Sequence, residues 1–173
     1  IVMDGKALAA KIKGEVAAKA EQMERKPGLA VILVGDNPAS RVYVNGKKKD
    51  CGECGIYSEE HALSGETTQE ELLELIQRLN ADDRVDGILC QLPLPKGLDE
   101  QLVIDTIAPE KDVDCFHPEN VGLLSTGMGK LMPCTPMGMM KMLEYEGIDP
   151  AGKHCVIIGR SDIVGKPMAM LML

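Results

Sequence analysis

Apolar residues recur along this chain at two spacings, one typical of helices and the other of buried strands. Residues 4–25 carry apolar side chains at helical spacing until Pro27 and Gly28 interrupt the pattern, which predicts an N-terminal helix. Residues 29–34 form a short continuous apolar run, and such a run predicts a strand that is buried on both faces. The chain therefore opens with a helix followed by a buried strand.

The later segments continue this alternation. The predicted elements are, in order, a helix that contains Tyr43 and Lys47 and ends near Gly55, a strand at 56–63, a helix at 70–79, a strand at 87–94, a short helix at 100–107, an irregular stretch at 109–126, a helix from Thr135 to about Tyr145, a strand at 154–159 and a helix from Ile163 onward. Thr67 and Glu70 have the spacing of a capping box, and Thr135 precedes a proline as an N-cap often does.

Strands that alternate with helices predict parallel pairing through crossover connections, which is an α/β layered fold. Glycine and proline at 147–152 mark a domain boundary. We expect a three-layer, parallel-sheet domain at residues 1–147 and the beginning of a second domain at residues 148–173. The chain starts with Ile1 rather than methionine and stops inside an apolar, helix-like run, so we expect it to be truncated.

Composition narrows the class of partner. The net charge of −8 argues against nucleic acid, because phosphate binding needs a local excess of lysine and arginine, and residues 47–49 are the one basic cluster. No apolar run approaches the roughly 20 residues of a membrane span, and the N-terminus lacks the features of a signal peptide. We therefore expect a cytoplasmic protein that binds neither nucleic acid nor membrane.

The six cysteines of this acidic chain are interpreted as reduced, structural thiols. Cys51 and Cys54 have C-x-x-C spacing, but a zinc site would need a second pair or suitably spaced histidines. A redox dithiol usually opens a helix, whereas this pair would close one. The sequence thus predicts no metal site.

Tyr43 and Lys47 are the first candidates for chemistry. Residues four positions apart share one face of a helix, so the ring and the amine can line one cleft. A flat aromatic surface beside an amine suits a flat substrate that needs proton transfer. The alternative for three adjacent lysines, taken alone, is a solvated basic helix face.

Two further polar residues are candidates for binding or catalysis. Gln91 interrupts the apolar strand at 87–94 near its C-terminal end, where ligands bind in open α/β sheets. Asp114 lies in a loop, and its carboxylate can accept paired hydrogen bonds from an amino-pyrimidine edge. The structural alternatives are a glutamine satisfied by the backbone and a turn-forming aspartate.

The segment from Gly159 to Gly165 lies between a predicted strand and a predicted helix, where a dinucleotide pyrophosphate meets helix N–H groups. It is not G-x-G-x-x-G, since position 161 is serine, and it does not match the ATP-type phosphate loop. Arg160 follows the predicted strand directly and suits the 2′-phosphate of NADP.

Five motifs in a fixed order are more specific than any one of them. They are Y-V-x-x-K from Tyr43, Q-L-P-L-P from Gln91, P-x-K-D-V-D from Pro109, P-C-T-P-x-G from Pro133 and G-R-S-x-I-V-G-K-P from Gly159. The chain resembles, over essentially its whole length, the FolD family of bifunctional methylenetetrahydrofolate dehydrogenase/methenyltetrahydrofolate cyclohydrolases.

This resemblance implies roles for the candidate residues. Lys47 would be the catalytic lysine and Gln91 its partner, while Tyr43 would stack on the aminobenzoate ring of the substrate and Asp114 would anchor the pterin. The NADP-binding turn would comprise Gly159, Arg160, Ser161 and Gly165. The implied protein is a homodimer that oxidises methylenetetrahydrofolate with NADP and hydrolyses methenyltetrahydrofolate to formyltetrahydrofolate in one-carbon metabolism.

The chain also departs from the family pattern. Cys115 stands where the family usually has glycine, and it would alter the backbone near Asp114 if that position has a positive φ. Cys90 stands where valine is common. Later family motifs of the cofactor domain are absent, so we expect NADP to bind this chain at best in the millimolar range, about −4 kcal/mol. A non-catalytic folate-binding or dimerisation module, and a dehydrogenase of another small substrate, are the alternatives.

Overall fold

A parallel sheet of three strands organises residues 12–112 in the computed structural model, which describes residues 2–173. The strands are β1 (Gly28–Val34), β2 (Tyr57–Leu63) and β3 (Gly87–Cys90), in the order β2-β1-β3. The central strand β1 pairs in parallel with both neighbours, with Leu29 opposite Ser58 on one side and opposite Gly87 on the other. The predicted parallel α/β arrangement is confirmed.

Seven α-helices accompany the sheet within the described residues. They are α1 (Gly5–Glu21), α2 (Pro38–Glu53), α3 (Gln69–Asn80), α4 (Glu100–Thr106), α5 (Pro118–Ser125), α6 (Cys134–Tyr145) and α7 (Gly165–Leu171), with a 3-10 turn at Pro109–Lys111. In residues 2–173 no helix combines the length and the apolar character that crossing a membrane requires.

The chain forms two compact units. One comprises Ile12–Asp112 and contains the sheet with α2, α3 and α4; the other comprises the residues up to Lys11 together with Val113–Leu173 and contains α5, α6 and α7. The domain boundary at residues 147–152 stays a prediction.

One face of the sheet carries the main core of the larger unit. Ala30, Ile32 and Val34 alternate along β1 toward this face, where they pack with apolar side chains of α3, β3 and α4. Val31 and Leu33 point to the other face, where they are also buried, and α2 packs against β1 and β2. β1 is therefore buried on both faces, as its continuous apolar run predicts.

Several predicted element boundaries were wrong by a small margin. The capping box joins Thr68 and Glu71, one residue later than predicted, because the side chain of Thr68 accepts the N–H of Glu71 at 3.2 Å. α6 begins at Cys134 after Pro133, without a side-chain cap, rather than at a Thr135 cap. β3 ends at Cys90, so Gln91 lies just beyond the strand instead of inside it.

Two larger predictions were also wrong. The stretch at 109–126 is not irregular throughout, because Pro118 opens α5 and the His117 side chain accepts the N–H of Glu119 as its cap. Residues 154–159 form no strand within residues 2–173. An extended segment becomes a strand only where a neighbour pairs with its backbone, and Ile158 in this segment is fully exposed.

The starts of β1 and β3 are joined by one hydrogen-bonded cluster. The Arg25 guanidinium donates to both carboxylate oxygens of Asp86, at 2.9 and 2.6 Å, and Asp86 also accepts the N–H of Gly28 at 2.7 Å. A Cβ at Gly28 would lie 1.9 Å from the Arg84 carbonyl oxygen, so only glycine fits between these strand ends.

Asp86→Asn is expected to lower the free energy of unfolding at pH 7 by about 1–2 kcal/mol, the range for a hydrogen-bonded ion pair at a partly exposed site. The Arg25 side chain holds the pKa of Asp86 below its ordinary value of 3.8. A lowered pKa stabilises the fold above the unfolded-state value, and that contribution is lost as the pH falls through the folded-state value. Urea unfolding at pH 7 and in acid below pH 3.8 should therefore show a difference that shrinks with acidification.

Asp36→Asn is the matched control, because it is the same change at an exposed carboxylate that follows the opposite end of β1. An equal loss from both substitutions, or a loss in Asp86→Asn that does not change with pH, would contradict the prediction.

Candidate active site

The helix that carries the first two candidate residues begins at a well-formed cap. The Asn37 side chain accepts the N–H groups of Ala39 at 2.9 Å and Ser40 at 3.1 Å, and Pro38 occupies the first helical position. Asparagine as a cap and proline at the first turn both favour this start. α2 thus places Tyr43 and Lys47 one turn apart on the same face.

Lys47 and Gln91 meet at the carboxyl end of the sheet. The backbone N–H of Gln91 donates to the Ile32 carbonyl of β1 at 2.9 Å, which fixes the residue just beyond β3. The Lys47 Nζ donates to the Gln91 Oε1 at 2.9 Å, while the Gln91 Nε2 donates to the Leu92 carbonyl at 2.8 Å. Both ends of the amide are engaged, so its oxygen is held toward the lysine.

The three adjacent lysines of α2 have different partners. The Lys48 amine lies 3.6 Å from the Glu60 carboxylate, and the Lys49 amine lies 3.7 Å from Glu53. Within residues 2–173, the Lys47 amine instead donates a hydrogen bond to the neutral amide of Gln91. A carboxylate would stabilise the charged form of an amine more strongly than an amide does. Lys47 is therefore the member of this run that pairs with a neutral group.

Tyr43 presents its ring to solvent beside Lys47. The residue is 65% exposed, compared with 49% for Tyr57 and 45% for Tyr145. An exposed ring next to a positioned amine can stack on a planar ligand, and such contacts contribute about 0.5–1.5 kcal/mol beyond the area they bury.

Asp114 belongs to the other compact unit, which also contains the turn at 159–165. Asp114 is partly buried, and the next residue, Cys115, is fully buried with a φ of 57°. This is the left-handed region that favours glycine. The cysteine therefore adopts a backbone conformation that ordinarily favours glycine.

The turn at 159–165 is tightly folded. A Cβ at Gly165 would lie 2.5 Å from the carbonyl carbon and oxygen of Gly159, so only glycine allows this approach. The Ser161 hydroxyl oxygen accepts the N–H groups of Val164 at 3.2 Å and Gly165 at 3.3 Å. Arg160 is exposed at the start of the turn.

Two residues that support candidate positions escaped the sequence analysis. The Lys111 amine donates to the carbonyls of Leu79 at 3.1 Å and Asp82 at 2.9 Å, and so closes the end of α3. The Glu100 carboxylate accepts the N–H of Leu94 at 2.9 Å and holds the loop that follows Gln91. Lys111 is part of the P-x-K-D-V-D motif, which could have identified it, whereas Glu100 lies in none of the five motifs.

The C-x-x-C pair closes α2 as predicted, with Cys51 in the last turn and Cys54 at the C-cap. Both side chains are buried and neither forms a disulfide. Burial raises the pKa of the Cys51 thiol, which makes it a poor nucleophile. The pair is therefore best described as structural.

Fold and site together define an α/β protein with a lysine–amide pair at the carboxyl edge of a parallel sheet. Residues 3–114 match the sequence model of the tetrahydrofolate dehydrogenase/cyclohydrolase catalytic domain, and residues 133–173 match that of the NAD(P)-binding domain of the same enzymes. The chain belongs to the tetrahydrofolate dehydrogenase/cyclohydrolase family.

Individual relatives agree with this assignment. The chain is 59% identical to the bifunctional protein FolD of Acetivibrio thermocellus in an alignment of 175 positions that covers 99% of this chain and 61% of that protein. The Ruminiclostridium cellulolyticum protein of the same name is 56% identical, with 99% and 62% covered. The chain thus spans about three fifths of the length of the curated relatives it matches.

Solved structures agree as well. The bifunctional FolD methylenetetrahydrofolate dehydrogenase/cyclohydrolase of Campylobacter jejuni superposes with a TM-score of 0.97 at 52% identity, covering 99% of this chain and 62% of that one. The Trypanosoma brucei methylenetetrahydrofolate dehydrogenase-cyclohydrolase, complexed with NADP cofactor and inhibitor, gives a TM-score of 0.95 at 36% identity, with 99% and 60% covered.

The backbone at Cys115 leads to a stability prediction. Cys115→Gly should change the free energy of unfolding by less than about 1 kcal/mol, because relief of the left-handed backbone cost offsets lost burial and a more flexible unfolded chain. Cys115→Val should lower it by at least about 2 kcal/mol, because a larger β-branched side chain fits neither the backbone nor the space. Urea unfolding monitored by circular dichroism measures both, and similar losses from the two substitutions would contradict the assignment of strain.

Proposed function

We propose that the protein oxidises methylenetetrahydrofolate to methenyltetrahydrofolate with NADP and hydrolyses methenyltetrahydrofolate to formyltetrahydrofolate. The observation that carries this proposal is the hydrogen bond from the Lys47 amine to the Gln91 amide, one helical turn from the exposed ring of Tyr43. Membership of the family, whose relatives are named bifunctional FolD, supplies the reaction.

Substrate binding would divide between Tyr43 and Asp114. The Tyr43 ring would stack on the aminobenzoate ring of the folate, a planar group that matches the exposed face of a phenol. The Asp114 carboxylate would accept paired hydrogen bonds from the amino-pyrimidine edge of the pterin. Both assignments follow the family resemblance, and the exposure of Tyr43 supports the first.

Hydrolysis needs a group that both accepts and donates protons. Water adds to the cationic methenyl carbon and loses a proton, and the ring nitrogen gains a proton when its bond to that carbon breaks. The Lys47 amine would carry out both transfers as a general base and then a general acid. Gln91 would hold the amine in position through its Oε1, because the Gln91 Nε2 is already bound to the Leu92 carbonyl.

NADP, when bound, would supply the hydride acceptor for oxidation of the methylene bridge. The turn at 159–165 suits a dinucleotide, because Gly165 lets the start of α7 fold back tightly on Gly159, and glycine-rich turns before a helix bind the pyrophosphate of dinucleotides. The exposed Arg160 would pair with the 2′-phosphate that distinguishes NADP from NAD. Gly159 and Ser161 would complete the turn, Ser161 by holding the N–H groups of Val164 and Gly165.

The proposal extends to the setting in which the enzyme works. We expect a homodimer that acts on tetrahydrofolate derivatives in the cytoplasm and binds no nucleic acid. The homodimer and the substrate class rest on the family resemblance, and the cytoplasmic location rests on the composition. The absence of nucleic-acid binding rests on the net charge of −8.

Lys47→Met in the complete protein should reduce hydrolysis of methenyltetrahydrofolate by at least about 100-fold, the lower range for a general acid–base group. Folate binding should change little, because methionine keeps the apolar stem beside Tyr43. The absorbance of the methenyl compound follows hydrolysis, and titration of a folate measures binding.

Lys49→Met is the matched control, since it is the same change two positions later on α2 in a lysine that pairs with Glu53. Wild-type hydrolysis in Lys47→Met would contradict the proposed role, and it would favour a folate-binding module without catalysis.

Asp114→Ala should weaken folate binding by about 1.5–3 kcal/mol, the range for hydrogen bonds to charged groups. NADP binding should be unchanged, because the dinucleotide turn is a separate segment. Calorimetric titration of the complete protein with each ligand is the measurement. Equal losses for both ligands would indicate a disturbed loop around Cys115 instead of a lost contact to the pterin.

A further inference from the structure

The pairing of charges on α2 assigns a role to a residue outside the site described above. We infer that Glu60 is a positioning residue, which sets the rotation of α2 about its axis and thereby keeps Lys47 against Gln91. This inference rests on the proposed function, because the rotation of α2 affects activity only through the proton transfers proposed for Lys47.

The buried stripe of α2 divides its polar side chains into two flanks. The side chains of this stripe, which face the sheet, are Ser40, Val44 and Cys51. At 3.6 residues per turn, Arg41 and Lys48 lie roughly 70° to one side of the stripe. Tyr43 and Lys47 lie roughly 60° to the other side. The helix therefore has a catalytic flank and an opposite flank with two cations.

Glu60 binds both cations of the opposite flank. It lies in the middle of β2 opposite Val31, which places its side chain on the face of the sheet that α2 covers. Its carboxylate accepts a hydrogen bond from Arg41 and lies 3.6 Å from the Lys48 amine. The Glu60 side chain is 18% exposed, whereas those of Arg41 and Lys48 are 38% and 60% exposed, so of the two pairs the one with Arg41 is screened less by salt and water.

Two tethers on opposite flanks oppose rotation of the helix. Apolar packing of the buried stripe is non-directional, whereas charge-assisted hydrogen bonds fix both distance and orientation. The Lys47–Gln91 bond acts toward β3, and the Glu60 pairs act toward β2, with β1 between them. Without Glu60, Lys47 would remain free to leave Gln91 as α2 rolls, and a misplacement of about 1 Å can cost as much as 100-fold in rate.

The test compares steady-state hydrolysis of methenyltetrahydrofolate by the complete wild-type protein with that by Glu60→Gln and Arg41→Met. Each variant is expected to lower kcat by about tenfold while KM changes by less than about threefold, since ring stacking on Tyr43 tolerates small shifts that proton transfer does not. The double variant should lose no more than the larger single loss, because both substitutions break the same tether. Thermal unfolding measures the stability of each variant.

Glu53→Gln is the matched control. Glu53 also binds two lysines, Lys13 and Lys49, but it lies on α2 itself and does not join the helix to β2. Its substitution should leave kcat within about twofold of the wild type, since surface ion pairs of this kind contribute little.

Three results would overturn the role of Glu60. The first is a kcat of Glu60→Gln within about twofold of the wild type, and the second is a loss of kcat fully accounted for by a smaller folded fraction. The third is a double variant whose loss is the sum of the single losses. A wild-type protein that does not hydrolyse methenyltetrahydrofolate would contradict the proposed function itself. An active wild type with unaffected Glu60 variants would contradict the positioning role alone.

Discussion

The hydrogen bond between the Lys47 amine and the Gln91 amide depends on how β1, β3 and α2 are placed in the larger unit. Gln91 is held because its backbone N–H donates to the Ile32 carbonyl of β1, although β3 itself ends one residue earlier. Lys47 reaches it because the Asn37 cap starts α2 immediately after β1, and because the buried stripe of α2 rests on the sheet. Neither partner is carried by a long loop. Both partners are therefore attached to regular elements at the carboxyl edge of the sheet.

Charge distribution around α2 has a consistent chemical consequence. Each of the two lysines that follow Lys47 is matched with a carboxylate, and Arg41 shares the carboxylate of Lys48. These pairs neutralise the basic cluster without placing a negative charge on Lys47. The amide orients the Lys47 amine without adding a charge beside it. A basic helix face that served only for solubility would not need a neutral partner for one of its lysines. The Gln91 amide is such a partner, and hydrogen bonds hold it at both its oxygen and its nitrogen.

Local patterns predicted the parts of the structure that local interactions decide. The i, i+4 spacing of Tyr43 and Lys47 and the apolar run of β1 were sufficient, because a helix face and a doubly buried strand follow from side-chain periodicity alone. The strand expected at 154–159 was wrong, since pairing with a neighbour is a property of the fold and not of the segment. α5 was missed because histidine is not a usual cap. The tether through Glu60 depends on the register between β1 and β2, which no single segment reveals.

The candidate residues also differ in how strongly their surroundings constrain them. Cys115 has a left-handed backbone that costs a cysteine roughly 1–2 kcal/mol, so the surrounding fold holds this conformation against the preference of the residue. Gly165 allows no side chain at all, because the turn folds back on Gly159. Tyr43, in contrast, is packed against little and is 65% exposed. Backbone geometry is thus held firmly in both units, while the exposed ring retains the freedom to adjust to a ligand. In the proposed reaction, the exposed ring of Tyr43 would adjust to a planar substrate while the Gln91 amide keeps the Lys47 amine in place.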